Sequence, residues 1–289
     1  MITRRGFIKG LLASVLAGLF AATYGFFIEP ALRLRVKRWR LAPQGWTGGA
    51  LRVAVLADVH VGAPTVTQRR LRQVVDRTNA LGADLILFLG DLEAGHPFVT
   101  KPVALPDAAA ELARLQAPLG VYAVLGNHDW WHDRAAQNGA SGLPEAGRVL
   151  EDAGIPVLEN DALRFDGFWL AGLGDQLAYW PTGRGGRDDM GATLAAITDD
   201  APIILMAHEP DIFANIPDRI TLTVSGHTHG GQVRLFGYSP LVPSRYGNRF
   251  AYGFVEERGQ SLVVSGGIGC SILPVRFGVV PEITLIELG

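Results

Sequence analysis

Five apolar, β-branched runs each stop at residues able to bind a metal ion or move a proton, and this repetition constrains the fold more than any other feature. "LRVAVLADVH" ends at Asp58 and His60, "ADLILFLGD" at Asp91, and "GVYAVLGNHD" at Asn127, His128 and Asp129; "APIILMAHEP" carries His208, and "ITLTVSGHTH" ends at His227 and His229. Near-continuous apolar strands are expected where a sheet is covered on both faces. Helical patterns at 67–82, 107–116, 143–154 and 190–200 separate them, and strand–helix alternation predicts an α/β fold with one dominant domain. The stretches 254–269 and 281–289 are richer in strand-forming residues, which predicts a second sheet packed on the first. Ligands of open α/β sheets gather beyond the carboxyl ends of the strands. Five of the seven histidines therefore converge on one edge, together with Asp58 and Asp91.

One histidine at a strand end is usually structural; this many, with two aspartates, read as a metal site. The single cysteine, Cys270, rules out a multi-thiolate centre and reads as a small buried residue. Imidazole, carboxylate and amide oxygen suit manganese, iron, zinc, cobalt or nickel. Seven such groups exceed one zinc tetrahedron and suit two cations sharing a carboxylate, spaced about 3.5–4 Å apart to clamp a phosphoryl group. Two carboxylates against two dications leave net positive charge, which attracts an anionic phosphate.

Asp58-x-His60, Gly90-Asp91, Gly126-Asn127-His128-Asp129, the separate His208 and Gly226-His227-x-His229 resemble, in order, the five motifs of calcineurin-like metallophosphoesterases. The resemblance implies a four-layer α/β/β/α sandwich of two mixed sheets. It also implies hydrolysis of phosphoric esters with two divalent ions (manganese, iron or zinc). It assigns Asp58, His60, Asp91 and His229 to one metal, and Asp91, Asn127, His208 and His227 to the other, with Asp91 bridging. By the same carry-over, His128 protonates the leaving oxygen or steadies the transition state, and Asp129 orients its imidazole.

The N-terminus adds a membrane. An apolar run from Leu11 to Ile28, roughly 18 residues, is long enough to cross a bilayer as a helix. Arg4 and Arg5 with Phe7, Ile8 and Lys9 resemble a bacterial twin-arginine export signal, and the run ends without a small-residue cleavage site. Residues 1–30 thus read as a signal-type anchor and 31–289 as one phosphoesterase domain at the bacterial inner membrane. The export signal places the body in the periplasm, whereas Arg33, Arg35, Lys37, Arg38 and Arg40 on the far flank favour a cytoplasmic body. Residues 32–41 read as a first strand with one basic face, available to anionic headgroups.

This N-terminus and the ending "SGGIGCSILPVRFGVVPEITLIEL" resemble a membrane-associated bacterial subgroup. The subgroup includes twin-arginine-exported phosphodiesterases and enzymes that hydrolyse UDP-2,3-diacylglucosamine in lipid A synthesis. A lipid-linked phosphate ester is therefore the expected substrate, and a monomer the expected state. A general phosphodiesterase or nuclease is the alternative enzyme, although a net charge of −2 argues against a nucleic-acid partner. A noncatalytic metal-binding scaffold would not need to keep every ligand and His128.

Around the motifs, Trp130 and Trp131 read as loop packing or as an apolar wall for substrate. The glycine-rich, aromatic stretch 177–190 reads as a surface loop or lid, offering Arg184 or Arg187 to a second phosphate, and Arg276 reads as a further substrate contact. Glu93 could bond a metal-bound water. His96, His132 and Asp133 read as bystanders.

Overall fold

The computed structural model describes residues 3–289. Thirteen strands run in chain order: β1 Arg35–Leu41, β2 Leu51–Leu56, β3 Gly62–Ala63, β4 Leu85–Phe88, β5 Lys101–Pro102, β6 Val121–Ala123, β7 Asp161–Phe165, β8 Phe168–Gly172, β9 Ile203–Met206, β10 Leu222–Ser225, β11 Gly253–Glu257, β12 Gln260–Val264 and β13 Glu282–Leu288. One mixed sheet has the order β1-β13-β2-β4-β6 and a second has the order β11-β12-β10-β9-β8-β7; β3 and β5 form a small ribbon. β2, β4 and β6 are parallel neighbours in the first sheet, as are β8, β9, β10 and β12 in the second.

Strand alternation sorts the side chains into three cores, and three cores separate four layers. Val53, Val55, Leu85 and Leu87 meet Leu170, Ile204, Met206, Leu222 and Val224 between the sheets. Ala54, Leu56, Ile86 and Phe88 point the other way, onto the helical layer that holds Leu71, Val74 and Leu112. Ile203, Leu205, Leu262 and Val264 cover the outer face of the second sheet together with Phe213 and Phe250. The result is the expected α/β/β/α arrangement. Continuous apolar strands are required because both faces of each sheet are covered.

Among the described residues, eight α-helical segments accompany the strands: α1 Arg4–Thr23, α2 Glu29–Leu32, α3 Gln68–Asn79, α4 Leu105–Leu112, α5 Asn127–Trp131, α6 Arg134–Gln137, α7 Glu145–Asp152 and α8 Met190–Ala195. The α3, α4, α7 and α8 segments fall inside the four predicted helical stretches, save for two residues at the start of α4. α1 is capped by Thr3, whose hydroxyl accepts from Gly6 N, and continues through a widened turn at Tyr24–Ile28 into α2. The whole Arg4–Leu32 stretch has the length and apolarity of a membrane span, and α1 buries no residue against the body. Only the base is packed, where Gly25, Glu29 and Pro30 are buried. In β1, Arg35 pairs with Glu282 and Arg40 with Glu287, so these two cations of the basic face are spent on β13.

Candidate metal centre

The loops leaving β2, β4 and β6 of one sheet and β9 and β10 of the other meet at one edge, and they carry the seven predicted ligands there. Asp58, His60, Asp91 and His229 each place a ligand atom within 4.8 Å of the others, and all four are buried. Asp91 Oδ2 lies 3.4 Å from His60 Nε2 and 3.3 Å from His208 Nε2, so one oxygen faces both sets. Beyond it, His227 Nδ1 is 2.9 Å from Asn127 Oδ1, and His208 and His227 group with Glu209.

The backbone is bent to achieve this. Asp58, His60, Asp91, His227 and His229 have φ of +52°, +43°, +58°, +66° and +51°, a region that residues with a Cβ rarely occupy. Each such residue costs on the order of 1 kcal/mol or more, and strain of this kind collects where surrounding contacts over-determine a functional site. Here the contacts are Asp58 N to Gly90 O at 3.1 Å, His60 N to Asp91 O at 3.0 Å and His227 N to Asp58 Oδ1 at 2.8 Å. Two glycines allow the loops to close. A Cβ on Gly126 would lie 2.4 Å from Asp91 Oδ1, and one on Gly226 would lie 2.7 Å from Asp58 Oδ2.

Neighbouring carbonyls set two tautomers. His60 Nδ1–H donates to Glu93 O at 2.9 Å and His208 Nδ1–H to Leu89 O at 2.5 Å, which turns both Nε2 lone pairs inward. Asp58 Oδ2 and His208 Nε2 are buried with no hydrogen-bond partner. His60 Nε2 and His229 Nε2 face each other at 3.2 Å from rings stacked at 5.0 Å. Unpartnered buried polar atoms cost roughly 1–3 kcal/mol each, and divalent ions would satisfy them. The donor set fits such ions. Charge is tightly shared across it: burial raises the Asp58 carboxyl. Burial acts the same way on Asp91, but His208 and His128 overcome it and hold that carboxyl well below its usual range. Burial opposes a charge on His208, yet Asp91 lifts it well above the imidazole range; His229 is pushed well below by burial and by His60.

The family model for calcineurin-like phosphoesterases matches residues 51–231, which include every one of these ligands. The chain belongs to the calcineurin-like phosphoesterase family. It is 28% identical to an uncharacterized metallophosphoesterase of Bacillus subtilis, YkuE, over 99% of this chain and 98% of that protein. A putative metallophosphoesterase of Caenorhabditis elegans is 30% identical over 93% of this chain, and a zebrafish (Danio rerio) "transmembrane protein with metallophosphoesterase domain" is 30% identical over 82%. The chain spans nearly all of the bacterial relative but only 54% and 53% of the other two. As a family member it is a phosphoesterase, and its buried Asp-His-Asp-His cluster is fit to hold divalent metal.

Within this phosphoesterase, the loop after β6 divides its side chains differently from expectation. The His128 ring has Nδ1 3.2 Å from His132 Nε2 and Nε2 3.2 Å from Ser271 Oγ. His132 Nδ1 in turn lies 3.4 Å from Glu93 Oε2, giving an array Glu93–His132–His128–Ser271. Burial pushes His128 down to about 3, so the ring is neutral. Asp129 does not orient this imidazole. Its carboxylate accepts from Asp91 N at 2.8 Å, Leu92 N at 2.9 Å and Gly126 N at 2.9 Å, lashing the β4 and β6 loops together. Burial and the nearby Asp91 raise Asp129 to about 6. His132, expected to be a bystander, takes the place given to Asp129.

Four of the five proposed substrate contacts also need correction. Trp130 is fully buried beside Tyr179, with the Arg187 guanidinium 4.7 Å above its ring, so it packs the loop and faces no substrate. Arg187 pairs with Glu159 and donates to Tyr179 Oη, and Arg184 covers the Tyr179 ring at 4.5 Å while donating to Gln137 O; both are spent tying the 177–190 segment together and to the loops beside it. Arg276 is fully buried and donates to Gly266 O, Gly269 O and Val279 O, with Nη2 3.2 Å from His229 Nδ1. It supports the metal centre from behind. Trp131 alone of the five lines a cavity: Nε1 donates to Leu177 O at 2.8 Å and the ring lies 5.2 Å from His128.

That cavity, of about 560 Å³, reaches from Asp91, Asn127, His227 and His229 outward past His128 and Ser271 to Leu241, Ile272, Leu273 and Val275. Its inner end is polar and its outer end apolar. Sequence reasoning missed Ser271 and Gln232, whose Oε1 accepts from Ser271 N at 2.7 Å. The only signals were the glycine run before Ser271 and the Gly-Gly-Gln after the last histidine motif.

Proposed function

We propose that this phosphoesterase holds two divalent ions and hydrolyses phosphodiester or pyrophosphate bonds of a lipid-linked substrate, such as UDP-2,3-diacylglucosamine, from a membrane anchor formed by residues 1–30. The observation that carries the reading is the cavity itself, whose metal-ligand floor continues into an apolar outer wall. An N-terminal helix of membrane-spanning character and a relative named as a transmembrane protein support the anchor.

Divalent ions bound at the seven ligands would supply the positive charge that draws in a phosphate and activates water. Asp91 fixes the spacing of the two ligand sets through one shared oxygen. His128 stands over the cavity as a neutral imidazole, and its Nε2, beside Ser271 Oγ, is placed to donate a hydrogen bond to the leaving oxygen and steady the transition state without giving up its proton. His132 fixes the ring plane from Nδ1. Trp131 keeps water off one side.

The test is an assay of the full manganese-loaded chain against UDP-2,3-diacylglucosamine beside an aryl phosphodiester. Release of UMP from the lipid supports the reading. Turnover of the aryl diester alone assigns a general phosphodiesterase, and turnover of neither points to a noncatalytic scaffold.

A further inference from the structure

Residues 232–238 form a small hairpin whose tip, from Leu235 to Tyr238, is explained by no ligand or core requirement. Leu235 and Tyr238 exchange both backbone hydrogen bonds at 2.9 Å, closing a two-residue turn of Phe236 and Gly237 with φ of +52° and +84°. Turns of this kind favour Asn-Gly, and a phenylalanine at the first position is strained. Phe236 is nevertheless there, fully exposed, with no packing partner to account for it. Leu235, Tyr238, Leu241, Ile272 and Leu273 around it are exposed as well. Leu241, Ile272 and Leu273 line the cavity, as do Gln232 and Val233 at the base of the hairpin, so its exposed Leu235, Phe236 and Tyr238 extend the same apolar surface outward. A patch of this kind marks an interaction surface.

The base of the N-terminal helix identifies what faces it. Arg276 N donates to Gly25 O at 2.9 Å, the Tyr24 ring meets Phe277 edge-on at 5.6 Å, and Val275 packs against Gly25. Val275 is itself a wall of the cavity, and the hairpin pairs with this same segment through Phe277 N to Gln232 O and Arg234 N to Phe277 O. Helix exit, cavity mouth and hairpin are therefore contiguous. Where the helix ends, Arg33 donates to Tyr24 Oη, Arg70 to Arg33 O and Arg77 to Leu34 O, an arginine collar engaged with neutral oxygens only. Arginines in this setting attract anionic headgroups.

We infer that the rim of Leu235, Phe236, Tyr238, Leu241, Ile272 and Leu273 inserts into the bilayer that holds α1, so that the catalytic cavity opens into the headgroup layer. The inference rests on the membrane-anchored reading of residues 1–30, and it adds a second contact with the same membrane. A substrate then enters sideways from the lipid, its phosphate reaching the metal ligands without crossing bulk water.

The test uses the full chain in vesicles of phosphatidylglycerol and phosphatidylethanolamine doped with doxyl-labelled lipid. Variants that each add one cysteine, Phe236→Cys, Leu241→Cys, Leu16→Cys and Gln116→Cys, carry an environment-sensitive fluorophore; the native Cys270 is buried and the unsubstituted chain gives its background. Leu16 lies within α1, and Gln116 is exposed just before β6, at the opposite edge from the ligands. The expected result is blue-shifted, quenched emission at 236, 241 and 16, and none at 116. Quenching at 16 with 236 and 241 behaving like 116 overturns the docking surface while leaving the anchor intact. Lack of quenching at 16 overturns the anchor, and the inference with it.

Discussion

At the floor of the cavity, Asp91 and His229, with Asp58 and His60 behind them, are buried, held on strained backbone and bound by hydrogen bonds to neighbouring strand ends. At its mouth, Leu241, Ile272 and Leu273 are exposed apolar side chains on irregular loops. The difference separates two tasks. A rigid floor serves chemistry, whose reacting groups tolerate little displacement. A loop-built mouth serves selection, and loops can change without disturbing the sheets beneath.

Under that division, substitutions at the floor will damage turnover of every substrate and substitutions at the mouth will damage only some. Asp91→Ala should have the largest effect, losing metal as well as activity by on the order of 10⁴-fold, read by elemental analysis beside kcat on an aryl diester. Metal retained at wild-type stoichiometry would break the assignment of Asp91 as the shared ligand. His128→Ala should keep its metal and lose about 10²–10³-fold in kcat. Near-normal turnover would remove His128 from the mechanism. Trp131→Ala, on the wall, should raise KM for an acylated substrate by about tenfold while leaving kcat on a small aryl diester near wild type. Equal losses on both substrates would place Trp131 with the floor.

The smallest effect belongs to a residue of neither region. Asp133 accepts from Ala136 N at 3.0 Å and Glu145 N at 2.8 Å, capping α6 and tying in the start of α7. Although partial burial pulls the other way, these amides hold its carboxyl below the usual aspartate range. A depressed folded value means that the stabilisation is complete above the unfolded value of about 3.9 and fades as pH falls through the folded one. Asp133→Ala should therefore cost about 1 kcal/mol at pH 7, a deficit that shrinks below about pH 4 in denaturant titrations, with activity unchanged.

The convergence of the proposed ligands was legible in sequence because each sits just past an apolar strand, and parallel strands deliver their carboxyl ends to a common edge. The contacts made within "GNHDWWH" follow a rule that adjacency obscures. Residues one apart on a helical turn point in different directions, whereas residues four apart share a face. Asp129 therefore turns toward the β4 loop, while His132 comes to His128. Trp130 and Trp131 divide in the same way, one inward and one toward the cavity. Ser271 and Arg276 were not legible as partners of His128 and His229, because they return from irregular chain beyond the last motif. Arg187 looked available because its partner, Glu159, lies on another loop. Long-range pairing of this kind leaves no periodicity to read.

The central claim, that Asp91 joins two ion sites through one carboxylate oxygen, is tested most directly by titrating the metal-stripped chain with Mn²⁺ and recording its electron paramagnetic resonance spectrum. The account predicts saturation at two ions per chain and the spectrum of a spin-coupled pair. Saturation at one ion, or two ions giving uncoupled signals, would contradict it.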